Sequence, residues 1–373
     1  MADASQLAAI MMTTLAPNQD GIEMDGNVTD ECDVQNPEHL WSPILLGIFS
    51  LIGIVGNLGL LIVILINPQL RTSPNAMVLN LTIGDLLFLL MSAPFHIEHE
   101  IHPCWQYRQL GCKLISAGQV VGMCVCILSL TAVSGERYMA ITRKIRIGKG
   151  KAFCQTLVAM IAIWSISIIF ATPVFFLADM FPGVPICLAL PHFEPSAKWY
   201  VCILCLFMYV IPLIFITVCY LLMARALFRS TRTFKGEKQP GERQFVMRRR
   251  LAVIILVMSV FFACFWLPYH VYQIWFELSF DYEMIQTIPS WTSNAIHFNR
   301  QFHFFMAFAN SCLNPWIVFF MSSKHRKGIT ECCCPGKKAI REPTSAMTTA
   351  TSKVRNSNWN DSSHAQYTEM SAM

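Results

Sequence analysis

Residues 112–138 read CKLISAGQVVGMCVCILSLTAVSGERY, and no residue from Leu114 to Gly135 carries a charge. A helix of about 20 residues crosses a hydrocarbon core of ~30 Å, so this stretch can span a bilayer, with Lys113 at one edge and Glu136-Arg137 at the other. Six further windows of the same kind lie on either side of it, at 43–66, 74–97, 153–178, 199–224, 250–276 and 299–321. They lack the alternating polarity in ~10-residue segments that marks a membrane barrel. The expected fold is an all-α membrane protein, a bundle of seven transmembrane helices embedded in a lipid bilayer. Composition agrees, since 54% of the 373 residues are hydrophobic and 14% charged, where soluble proteins carry about 25% charged, and mean hydropathy is +0.46. A soluble domain, a disordered polymer and a nucleic-acid binder are excluded, because the net charge of +5 is spread around long apolar runs.

The charge between the windows gives the orientation. Residues 1–42 hold eight acids and no Lys or Arg. Together with the loops after the second, fourth and sixth windows, that side has four bases, Arg108, Lys113, Lys198 and Arg300, against 24 on the other. By the positive-inside rule the amino terminus is expected outside and the carboxyl terminus in the cytoplasm, in a multi-pass protein of the plasma membrane. Met1 to Asp20 lacks a basic n-region, so the first span is expected to act as its own insertion signal. Four regions follow: an acidic disordered tail (1–42), the seven-helix domain (43–322), a short amphipathic cytoplasmic helix (323–334) and a Ser/Thr-rich disordered tail (335–373).

Asn27-Val28-Thr29 is a glycosylation sequon on the expected outer side. Cys112 opens the third window and Cys187 lies in the loop after the fourth. A disulfide between them, in an oxidising compartment, would pin that loop over the mouth of the bundle. Cys32 and Cys104 complete a set of four outer cysteines, which allow three pairings. Cys32 with Cys104 is the complementary bridge, and two free or intermolecularly paired thiols are the alternative. Cys332, Cys333 and Cys334 follow the basic piece Ser323-Lys324-His325-Arg326-Lys327 and are candidates for palmitoylation. Three adjacent cysteines cannot readily wrap a zinc ion, so no metal centre is expected there.

Asp85 is the sole formal charge in the interiors of the seven spans, Lys113, Arg250 and Arg300 standing at their edges. An acid there costs about 2.5–3.5 kcal/mol on the insertion scale, which marks it as functional by default. Asn57, Asn310, Ser311 and Asn314 are the polar groups placed to satisfy it. Around it stand Cys112, Glu136-Arg137-Tyr138, Trp164, Pro212 with Tyr220, Phe262-x-x-x-Trp266-x-Pro268 and Asn314-Pro315, about one set per span. In order and spacing this set resembles the rhodopsin-like (class A) G-protein-coupled receptors over about residues 43–335.

A subgroup can be argued as well. Cys112-Lys113-Leu114-Ile115 with Gln119, Leu130-Thr131-Ala132, and Phe308-Ala309-Asn310-Ser311-Cys312-Leu313-Asn314-Pro315 look like the third and seventh helices of bombesin receptors. Val318 stands where the wider family has Tyr, a departure shared by bombesin and endothelin receptors. The CCHamide receptors belong to the same group. The resemblance implies a neuropeptide receptor that performs no covalent chemistry and is no enzyme, and that activates a heterotrimeric G protein, Gq class with calcium release.

It also implies roles for residues. Arg137, paired at rest with Glu136, would be released to meet the G protein, with Tyr138 beside it and Tyr220 on the opposite wall. Phe262, Trp266 and Pro268 would form a lever in the sixth span, and Asp85, Asn310, Asn314 and Pro315 a hub between spans. That hub resembles the family's sodium pocket, yet Cys126 replaces the usual Ser, and a thiol is a poor ligand for a hard cation. Sodium is the one cofactor in view, and the donor set counts against it.

The third span offers Gln119 instead of an amine-pairing Asp, and 299–321 contains no Lys for a Schiff base, so amine and retinal ligands fall away. His96, Gln119, Trp266, His270, Gln273, Arg300, His303 and Phe304 are expected to face the cavity, with Glu98 and Glu100 at its rim. Bombesin receptors carry Arg where Phe304 and Gln273 stand, so their ligand preference does not transfer directly. The acidic outer side favours a basic or amidated peptide. Thr344, Ser345, Thr348, Thr349, Thr351 and Ser352 are expected to receive phosphate from receptor kinases and to present it to arrestin. Rival readings are the same fold with a non-peptide ligand or an orphan role, and a seven-helix transporter. The transporter would want several inward charges and inverted repeats.

Overall fold

Backbone N–H and C=O groups in hydrocarbon have no water to bond, so each crossing segment must satisfy them within itself. Every apolar window accordingly forms a long helix. A computed structural model describes residues 41–101, 105–142, 149–180, 187–191, 194–233, 242–279, 290–323 and 325–328. Seven of its helices are long and apolar enough to cross a membrane. The first four spans are Trp41–Ile66, Ser73–Ile101, Arg108–Thr142 and Lys149–Leu177. The fifth consists of Pro195–Cys205, a π-helical turn at Leu206–Val210 and Ile211–Thr233. The sixth and seventh are Glu242–Ser279 and Ser290–Met321. Ser323 and residues 325–328 are again helical, at the start of the short helix expected after the seventh span. Asn27, Cys32, Cys104, Cys332, Cys333 and Cys334 lie outside the described residues, as do both tails.

The third span occupies the middle of the bundle and is buried along most of its length, from Cys112 to Arg137. It packs against the second, fourth, fifth and sixth spans, while the first packs on the second and seventh. The fourth span turns Phe153, Val158, Ile161, Ile169 and Phe176 outward. Such a face would be a liability in water and is what lipid tails require.

Hydroxyl groups inside the bundle bond to their own helices. Ser129 Oγ donates to the Val125 carbonyl at 2.6 Å, Ser134 to Leu130 at 2.7 Å and Ser167 to Ile163 at 2.8 Å. Longer polar groups join neighbours. Asn80 Nδ2 donates to Ser129 Oγ at 2.8 Å and Trp164 Nε1 to Asn80 Oδ1 at 3.0 Å, which ties the second, third and fourth spans. Gly122 lets the second and third spans meet. A Cβ there would lie 2.9 Å from the Phe88 backbone nitrogen and Cα, closer than side chains tolerate.

At one end of the bundle, β1 (Asp179–Met180) and β2 (Cys187–Leu188) pair antiparallel, with Met180 opposite Cys187. The Cys112–Cys187 disulfide fastens this ribbon to the third span, its Cα atoms 5.5 Å apart. Gln109 Nε2 adds a bond to Asp179 Oδ1 at 2.8 Å.

Gly122→Ala is expected to cost about 1–3 kcal/mol, because the obstacle is backbone. A lower melting temperature of the purified protein in detergent checks it, and an unchanged one would mean that the second span moves aside freely.

Candidate functional site

The site is built around Asp85, which has no solvent exposure. Asn314 Nδ2 donates to its Oδ2 at 2.8 Å, and the Cys126 thiol to its Oδ1 at 3.3 Å. One carboxylate therefore joins the second, third and seventh spans. The first span joins through Asn57, whose Nδ2 donates to the Ser311 carbonyl at 2.9 Å and the Gly53 carbonyl at 3.0 Å. Among the described residues, the Oδ1 atoms of Asn57, Asn310 and Asn314 are buried without a protein partner. Ordered water is what ordinarily satisfies such groups.

Toward the disulfide end, a run of ring contacts links the middle of the bundle to its mouth. Phe262 lies 5.8 Å from Trp266, Trp266 lies 5.5 Å from Phe88, and Phe88 lies 5.4 Å from Phe308. From Phe308 the run continues to His96 at 6.1 Å, Phe304 at 4.0 Å and His303 at 4.6 Å. Tyr272 lies 4.7 Å beyond His303. Trp266 and His270 are buried, and neither Trp266 Nε1 nor His270 Nε2 has a partner among the described residues. Buried groups of this kind cost free energy until something bonds them. Gln119 is half-buried on the third span, two helical turns from Cys112. Gln273 is half-buried and in hydrogen-bonding reach of the Tyr269 hydroxyl. Arg300 is half-buried near Tyr272 and His303.

Two rim acids have partners within the protein. Gln301 Nε2 donates to Glu100 Oε2 at 2.9 Å. Glu98 accepts from the Tyr107 hydroxyl, a bond that raises the phenol above its ordinary pKa.

At the opposite end, Arg137 is buried and its Nη2 lies 3.7 Å from Glu136 Oε2. Ser73 Oγ donates to Glu136 Oε1 at 3.2 Å and also bonds Thr156 Oγ1, so the second and fourth spans close on that carboxylate. Tyr138 is half-buried, and its carbonyl accepts from Thr142 Oγ1 at 2.7 Å. The nearby end of the sixth span is fastened on both flanks. Tyr220 donates to the Ala252 carbonyl at 2.8 Å, and Arg250 Nε donates to the Met321 carbonyl at 2.6 Å. Arg250 Nη1 reaches Ser323 Oγ at 3.3 Å. Pro268 and Pro315 stand inside the sixth and seventh helices, where each removes a backbone bond.

The ring-bearing residues named from sequence thus meet in one cluster, and the Asp85 set meets in another. Gln119 and Arg300 are brought to the same end of the bundle, Arg300 beside Tyr272 and His303 of that cluster. The sequence reading missed Ser73, Thr156, Tyr209 and Glu277. Glu277 is 1% exposed one residue past the assigned window, so a longer window would have flagged it. Tyr209 carries a hydroxyl three residues before Pro212 in an apolar stretch, which was the available signal.

A fold of seven spans with these two clusters is that of a membrane receptor. The model of the 7 transmembrane receptor (rhodopsin family) matches residues 56–317, and the chain belongs to that family, whose members are receptors and not enzymes. Among its relatives, bombesin receptor subtype-3 of Ovis aries is 31% identical over 311 residues, covering 80% of this chain and 75% of that protein. A bombesin receptor of Bombina orientalis is 30% identical over 311 residues, covering 80% and 78%.

Cys187→Ser frees the ribbon from the third span and is expected to lose at least about 2 kcal/mol of stability, with most surface display. Cell-surface labelling checks it, and normal display would show that the ribbon is held without the bridge.

Proposed function

We propose that this chain is a plasma-membrane receptor for an extracellular peptide and that it activates a heterotrimeric G protein, of the Gq class with calcium release. The carrying observation is that one helix, the sixth, bears ring residues on both sides of Pro268, Phe262 and Trp266 just before it and His270 and Tyr272 after it, and carries the Tyr220 and Arg250 fastenings farther along, at Ala252 and Arg250. A ligand pressing on the ring cluster has a mechanical route to the far end of that span. The Arg137 end faces the cytoplasm, in line with 24 basic residues on that side and four on the other. The two fastenings and the Glu136–Arg137 pair describe a resting state. Agonist shifts a two-state equilibrium toward an arrangement with the sixth span swung out and Arg137 accessible.

The relatives' names support a peptide ligand, and the acidic outer side supports a basic or amidated one through long-range steering. His96, Gln119, Trp266, His270, Gln273, Arg300, His303 and Phe304 are its contacts in this reading. Glycosylation at Asn27, palmitoylation at Cys332 to Cys334, the Cys32–Cys104 bridge, and phosphorylation of the tail for arrestin belong to the same proposal.

Sodium does not fit the Asp85 hub well. Hard cations take oxygen donors, and Ser311 brings a hydroxyl to the carboxylate, yet one carboxylate oxygen faces the Cys126 thiol and the other an amide N–H. Asp85 acts as a hydrogen-bond hub in this reading. Basal nucleotide exchange should be equal in sodium and potassium chloride, and Cys126→Ser should make it lower in sodium. Sodium sensitivity of the unaltered chain would overturn this.

The first experiment is intracellular calcium in cells expressing the chain, screened against short amidated and cyclic peptides. Arg137→Ala should keep surface expression and ligand binding while signalling falls about tenfold or more, as expected for a charge-assisted contact of ~1.5–3 kcal/mol. Undiminished signalling would sink the role of Arg137.

A further inference from the structure

The sixth span is weakest at Pro268. A proline has no N–H, so the Cys264 carbonyl four residues earlier loses its helical partner, and the ring pushes the turn apart. The adjacent carbonyl, of Ala263, accepts a bond from another span. The Tyr209 hydroxyl of the fifth span donates to it at 2.6 Å.

Tyr209 reaches that carbonyl through a local departure from the α-helix. Leu206–Val210 form a π turn, in which the Ile211 N–H bonds the Leu206 carbonyl five residues back. The wider turn places Tyr209 inside, 9% exposed, while Leu206, Phe207 and Val210 face outward. Such turns are rare and frequent at functional sites. The Tyr209 ring also lies 4.6 Å from that of His270, which stands beyond Pro268. One side chain therefore touches both halves of the kinked helix: Ala263 before the proline with its hydroxyl, His270 after it with its ring.

We propose that Tyr209 is a positioning residue for the switch, its hydroxyl stitching the fifth span to the kink of the sixth and holding the resting arrangement until a ligand displaces His270. The proposal rests on the receptor reading above. Ligand pressure on His270 slides the Tyr209 ring and lengthens the bond to Ala263, and the inner half of the sixth span then turns about Pro268.

The test uses Tyr209→Phe, which removes the hydroxyl and keeps the ring. The control is Thr217→Val on the same span, where the lost hydroxyl bonds its own helix at Leu213. Hydrogen–deuterium exchange of the full chain in nanodiscs, read on peptides covering residues 255–272, should be faster in Tyr209→Phe and unchanged in Thr217→Val. Ligand-free nucleotide exchange on purified heterotrimers should rise about fivefold in Tyr209→Phe at equal receptor concentration, the shift that one hydrogen bond supports. Unchanged hydrogen exchange at the kink would overturn the proposal. So would a loosened kink without a rise in basal nucleotide exchange, where the unaltered chain responds to agonist. A chain that activates no heterotrimer with any peptide would count against the receptor reading, and hydrogen exchange alone would then decide the stitch.

Discussion

A carboxylate in the middle of an apolar bundle has to be satisfied by the protein around it, and the arrangement of four spans follows from how Asp85 is satisfied. Its carboxylate takes partners from two other helices, Cys126 on the third and Asn314 with Ser311 on the seventh. Asn57 adds the first span through the Ser311 carbonyl. None of these helices can shift along its axis without breaking one of these buried bonds, and each buried group left unsatisfied costs about 1–3 kcal/mol. The hub thus fixes the register of the first, second, third and seventh spans, the fourth is tied to them by Trp164 through Asn80, and the fifth and sixth stand outside the hub.

The sixth span packs through apolar and ring contacts on the third, fifth and seventh, and its polar bonds to other spans are few. Tyr220 to Ala252, Arg250 to Met321 and Tyr209 to Ala263 are three bonds from other spans to or from the sixth. The two neutral bonds are worth about 0.5–1.5 kcal/mol net each and the one from the Arg250 guanidinium up to about 3, so together they add a few kcal/mol to the packing that holds it. Taking a two-state system from about 1:99 to 99:1 needs ~5.5 kcal/mol of differential ligand affinity. Fastenings of this size keep the sixth span closed at rest while leaving it within reach of a ligand. A bundle locked by a second buried carboxylate pair at this point would be out of such reach, because breaking a buried pair costs about 3–5 kcal/mol by itself.

The fold was legible because hydrocarbon imposes one simple rule, and 22 uncharged residues between Lys113 and Glu136 obey it visibly. Asp85 was legible for the opposite reason, as an isolated violation of the same rule. The helix ends were less so. The third helix runs on to Thr142 and the sixth begins at Glu242, since polar residues extend a helix beyond the bilayer without any apolar signal. Partners across spans were the least legible. Ser73 and Thr156 are ordinary hydroxyls in sequence, and only their approach to Glu136 gives them a role. The π turn that carries Tyr209 inward has no composition of its own, because Leu, Phe, Met, Tyr and Val suit a regular helix equally well.

The acids of the outer side look in sequence like a uniform attractive field for a cation. Folding divides them. Glu98 is engaged by Tyr107, Glu100 by Gln301, and Glu277 is buried. On the receptor reading, what remains around the ring cluster is mostly neutral, imidazole, indole and phenyl rings with amide groups at Gln119 and Gln273, and the cation among the residues named there is Arg300. A neutral aromatic wall binds by burying apolar and aromatic surface, at roughly 25 cal/mol per Å², and by supplying partners for a few polar groups. The exposed acids act at longer range, where charge raises the rate of encounter more than the affinity. On the receptor reading, the two ends of a ligand then meet different physics. A basic part is drawn in by the tail acids, and an uncharged aromatic part is held against His96, His270, His303 and Phe304, next to the helix that moves.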